Sequence, residues 1–77
     1  MILLDQQFAH PTQASPVRLT VYEEPGSGWL VTETHGGTHP VVKTLGLYAT
    51  RDEALGRARD RGQRLEGQRY QPIASGG

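Results

Sequence analysis

Glu33, His35 and His39 form the densest set of side chains able to bind a metal or carry a proton. Two imidazoles and a carboxylate are zinc ligands in principle. Gly36 and Gly37 separate the histidines, which places them in a turn rather than on one helix face. The three are therefore read as turn residues. His35 and His39 are the candidates should a metal bind, and no metal or other cofactor is expected. A nucleophile is equally hard to assemble. The chain has no Cys, and Ser15, Ser27 and Ser75 lie in tail or turn segments without a companion base. The carboxylates pair only as neighbours, at Glu23-Glu24 and Asp52-Glu53. Gly26-Ser27-Gly28 leads into a strand, so no helix N-terminus follows it to cradle a phosphate. The chain is expected not to be an enzyme.

The other polar constellation is basic. Net charge is zero, which weighs against a strongly electrostatic nucleic-acid binder. The charges are nevertheless unevenly distributed. Up to Thr50, Arg18 and Lys43 face four acidic residues; beyond it, six arginines face four. Arg57, Arg61 and Arg64, at i, i+4 and i+7, share one stripe of any helix there. With Arg69 and Trp29 they are the candidate nucleic-acid-binding residues, Trp29 serving as a stacking surface. The competing readings are a solvated helix face laced with ion pairs, and a Trp29 ring that closes one end of the core.

The elements that must position these residues follow from the pattern. Residues 1–16 read as a flexible leader or arm, polar and proline-bearing after Met1–Leu4. That apolar start has no basic residue before it and ends after four residues. Neither a signal peptide nor a membrane span is expected, and the cytoplasm is the expected compartment. Val17, Leu19 and Val21 alternate with polar residues, predicting a half-buried strand. Pro25 and Gly26 stop it, and Trp29–Thr34 predicts its hairpin partner. Gly36-Gly37 makes the next turn, Val41–Tyr48 the third strand, and Gly46 marks a bulge.

Thr50 with Glu53 three residues on is a capping box, which predicts a helix. Ala54, Leu55, Ala58, Gly62 and Leu65 are its buried stripe, and Gly67 its C′ residue. Gln68–Ile73 can return as an edge segment, with Pro72 tolerated only there. The expected fold is α+β: a three- to four-stranded antiparallel meander with one C-terminal helix packed on one face. The domain spans 17–73, and 74–77 forms a disordered tail.

From Val17 to about Ile73 this order resembles the WGR domain. The residues that carry the likeness are Val21-Tyr22-Glu23-Glu24, Trp29, Gly36-Gly37, the strand to Tyr48, Ala49–Ala54 and Glu66–Tyr70. The Trp-Gly-Arg triplet itself is absent; Thr34-His35-Gly36-Gly37 stands in its place. Gly28-Trp29-Leu30-Val31 and Tyr48–Ala54 are also similar to other small strand-strand-strand-helix domains of unknown function. The WGR resemblance implies DNA binding or domain contact. The lead expectation is a non-enzymatic binding or interaction module that self-associates as a homo-oligomer through the apolar N-terminal arm or an open sheet edge. The alternative is a WGR-like nucleic-acid-binding domain using the helix arginines and an exposed aromatic. Nucleic acid or protein partners are the candidates, and no membrane is expected.

Overall fold

The computed structural model describes residues 2–73. The tail expected at 74–77 lies outside the described residues. Among the described residues one antiparallel sheet of five strands carries a single helix: β1 (Ile2–Ala9), β2 (Val17–Glu24), β3 (Gly28–His35), β4 (Val41–Tyr48), α1 (Arg51–Gly67) and β5 (Gln71–Ile73). The spatial order is β4-β3-β2-β1-β5. The meander expected from Val17 to Tyr48 is present, as is the helix packed on one face.

Within residues 1–16, expected to be a flexible leader, Ile2–Ala9 is instead a sheet strand. β1 pairs with β2 over its length and with β5 through Gln7–Ala9. Its alternation was hidden because the inward-facing set, Leu4, Gln6 and Phe8, has a glutamine at its centre. Gln6 is tolerated there because its amide donates to the Ile73 and Gln7 carbonyls, both at 2.9 Å. Of the cluster expected to act as an arm, Leu3 and Leu4 instead pack against this chain's own core.

The turns follow their residues. Pro25 and Gly26 make a type II turn, with Gly26 at φ 78° and the Ser27 amide donating to Glu24 O at 2.9 Å. In the β3–β4 turn only Gly37 of the glycine pair takes a positive φ, 123°. The β3–β4 register shifts between Val31 and Thr32, which leaves Leu45, next to Gly46, as the extra residue on β4. The bulge lets Leu45 pack against both core clusters.

Thr50 caps α1, its Oγ1 accepting from the Glu53 amide at 3.3 Å and donating to the Glu53 carboxylate at 3.0 Å. Gly67, expected as C′, is the last helical residue. Gln68 is the C-cap and Arg69 occupies the left-handed position, at φ 75°. Arg69 N donates to Glu66 O and Tyr70 N to Leu65 O, the two bonds of a Schellman ending. Tyr70 then packs against the cluster that contains Leu65, aiming the chain back at β1.

The helix-facing side of the sheet is built in cross-strand rows. Leu4, Val21 and Val31 lie in one row, Phe8 and Val17 in another. Val21 and Val31 meet Ala54 and Ala58, while Phe8, Val17 and Leu19 meet Leu65. The alanines and Gly62 let the helix backbone approach closely; a Cβ on Gly62 would stand 3.4 Å from the Phe8 ring. No helix among the described residues is long and apolar enough to cross a membrane.

Candidate functional site

Between these apolar rows runs one in which polar residues flank a core leucine: Gln6, Leu19, Glu33 and Lys43 are aligned across β1 to β4. Glu33 shares strand parity with Trp29 and Val31 and so points at the helix, where it is 2% exposed. A carboxylate at that depth requires donors. Arg61, reaching down from α1, supplies two: Nε donates to Oε1 at 2.5 Å and Nη2 to Oε2 at 3.1 Å. His35 Nε2 donates to Oε2 at 2.5 Å. The Arg61 hydrogen bonds hold Glu33 below the ordinary carboxylate range; burial opposes the shift, and the His35 hydrogen bond adds to it. Glu33 in turn raises Arg61. No buried polar side-chain atom lacks a partner among the described residues.

This pair divides the expected arginine stripe. Arg61 is engaged inward, whereas Arg57 and Arg64 flank it and, among the described residues, pair only with Asp60, at 3.7 and 3.6 Å. Both line a cleft of about 270 Å³ between α1 and β4, together with Lys43, Thr44, Leu45 and the Glu33–Arg61 pair. Lys43 is the cross-strand neighbour of Glu33, whose carboxylate already accepts three hydrogen bonds. Among the described residues Lys43 forms no ion pair.

The other proposed binders lie elsewhere. Arg69 forms the helix ending. Trp29 sits four residues from Glu33 along β3, about 13 Å away at strand rise. It is half-buried against the Val21–Ala54 cluster and borders a shallow surface with Glu23 and Glu24. The ring therefore sides with the core and has acidic neighbours rather than the arginines. Of the metal candidates, His35 is hydrogen-bonded to Glu33 and His39 is exposed in the β3–β4 turn. No group of three or more His, Cys, Asp or Glu able to hold a metal ion occurs among the described residues.

A second surface was not read from sequence. On the sheet face opposite the helix, Ile2, Tyr22, Leu30 and Leu47 stand in one cross-strand row spanning four strands. Ile2 is 64% and Leu47 51% exposed. Beyond a threonine row (Thr20, Thr32, Thr44) lies Val42, 64% exposed and on the edge strand β4. Each strand showed one apolar set in sequence, and the outward residues became a stripe only once the register aligned them. The two edges of the sheet differ. β5 is three residues long with Pro72 at its centre, while β4 is eight residues long with no proline.

No family model matches the chain, and no curated protein or solved structure shows significant similarity to it.

Proposed function

We propose that the chain is a non-enzymatic interaction module that associates with a second copy of itself through the outer sheet face and the β4 edge. The observation that carries this reading is the Ile2–Tyr22–Leu30–Leu47 row. A contiguous apolar stripe left to solvent marks a contact surface. A second copy suits it because a two-fold contact sets like patches against each other, which favours an apolar face of low net charge. Asp5 and Arg18 on this face neutralise one another at 2.8 Å, and Glu24, of the same parity, stands beyond the row at the hairpin end of β2. The chain as a whole is also uncharged. β4 supplies free backbone donors and acceptors at the rim of the same face. Of the two routes expected from sequence, the sheet edge is retained; the N-terminal residues contribute as part of β1.

Sedimentation equilibrium tests the proposal. The wild type is expected to be dimeric at micromolar concentration, and Leu47→Lys to be a folded monomer. A wild type that stays monomeric at millimolar concentration removes the reading.

A nucleic-acid-binding role is the second reading, favoured by the placement of Arg57, Arg64 and Lys43 along one cleft. Engagement of Arg61 by Glu33, of Arg69 by the helix ending and of Trp29 by the core reduces the set first expected to perform it. Retardation of a short duplex at low salt, lost progressively as salt is raised, supports it. No retardation at low salt ends it.

A further inference from the structure

The cleft between α1 and β4 gathers cations that the fold itself does not use. Four basic side chains line it, and only Arg61 is bound inside the protein by a buried carboxylate. Glu33 accepts three hydrogen bonds, two from Arg61 and one from His35. That leaves Lys43, its neighbour across the strands, without a counter-ion. Arg57 and Arg64 share one carboxylate, Asp60, at distances well beyond a good charge-assisted hydrogen bond. Counting Glu33 and Asp60 against the four cations, the cleft carries two uncompensated positive charges in a chain whose net charge is zero.

From this arrangement we infer that the cleft is a binding site for a phosphomonoester, a phosphoryl dianion on a small molecule or at a nucleotide chain end. Three features select this ligand. The excess charge matches a dianion. Arg57 and Arg64 are planar forks, and Lys43 approaches from the strand side, so donors converge from both walls on a tetrahedral oxyanion. The cleft is concave and about 270 Å³, which suits one compact group rather than the long, even track of a duplex backbone. The Glu33–Arg61 pair forms the floor. It fixes Arg61 with its charge already answered, leaving the flanking cations to the ligand. Thr44, whose side chain belongs to the outer threonine row, borders the cleft through its place on β4 beside Lys43. The site lies on the helix side of the sheet, so it stands or falls independently of association through the outer face.

The test is a titration of the full chain with sodium phosphate at slightly alkaline pH, where the dianion dominates, followed by amide NMR, beside sodium chloride at equal ionic strength. The expected result is saturable shifts centred on Lys43, Thr44, Arg57 and Arg64 that chloride does not reproduce. Lys43→Gln and Arg64→Gln should each weaken binding about tenfold or more, as loss of one charge-assisted contact implies. Arg59→Gln, on the same helix but outside the cleft, should bind as the wild type does. Shifts that do not saturate, that chloride reproduces, or that persist undiminished in Lys43→Gln and Arg64→Gln overturn the inference. A second arm compares a short oligonucleotide with and without a 5′-phosphate. Tighter binding of the phosphorylated strand assigns the site to a chain end, and equal binding of the two overturns that source and leaves the small-molecule monoester.

Discussion

Replacing Glu33 with glutamine keeps the shape of the side chain and removes its charge, which isolates what the buried carboxylate does for the fold. In the wild type it accepts three hydrogen bonds, two from a guanidinium. Breaking a fully buried ion pair costs about 3–5 kcal/mol, because the remaining charge has no partner. Arg61 retains 24% side-chain exposure and His35 47%, so both can recover some hydration. The expected loss is therefore lower, about 2–3 kcal/mol, since hydrogen bonds to charged groups are worth about 1.5–3 kcal/mol each. A chain of this length has a total stability of roughly 4–12 kcal/mol, so the loss is a large share of it. The melting temperature should fall by about 10–20 °C.

Urea denaturation at neutral pH gives the number, and a double-mutant cycle gives the cause. Glu33→Leu with Arg61→Met, which removes both charges, should be much closer to wild type than the two single losses added together. The pH dependence is a separate check. A carboxyl whose folded value lies below its unfolded value stabilises the protein above the unfolded value, about 4.3, and that contribution is lost as pH falls through the folded value. Wild type should therefore lose stability below about pH 4.3 more steeply than Glu33→Gln. A Glu33→Gln variant within about 0.5 kcal/mol of wild type, or acid curves that run parallel, would refute the reasoning.

Three further substitutions probe the backbone. Arg69→Gly relieves a left-handed residue at the helix ending and should stabilise by about 1 kcal/mol, read as a raised urea midpoint. Gly56→Ala adds a methyl into open space on the helix and should gain about 0.5–1 kcal/mol in the same assay. Gly28→Ala should destabilise by at least about 2 kcal/mol. Its φ is 126°, and the added Cβ would run into the Tyr48 carbonyl. Thermal melts that place Gly28→Ala level with wild type contradict that packing.

What could be read from the residues alone depended on how directly each residue's environment follows from its neighbours. Val17–Val21 alternates cleanly because its outward partners are polar, and the Thr50–Glu53 capping box is local by nature. β1 was missed because Gln6 breaks its apolar set, and its compensating bond runs to Ile73, at the far end of the chain. The Glu33–Arg61 pair was missed for a related reason, although its signals were present. Glu33 shares strand parity with Val31, and Arg61 lies three residues beyond Ala58 at the border of the buried stripe. An acid at an inward position beside a basic residue at a stripe border predicts a pair. Grouping Glu33 with the histidines and Arg61 with its exposed neighbours obscured it. The apolar outer row could not be read in advance, since it depends on strand register rather than on any one segment.

Strand β1 has unequal neighbours, the eight-residue β2 on one side and the three-residue β5 on the other. Its amides should therefore exchange with solvent in two regimes, although they belong to one continuous strand. Those bonded to β2 wait for global opening, while those turned toward β5 are released whenever its three residues peel away. Because the Phe8 ring anchors in the core from the same strand, that peeling leaves the interior closed. Hydrogen exchange along β1 would then alternate residue by residue, protected and labile, a two-speed record of a strand gripped firmly on one side and lightly on the other.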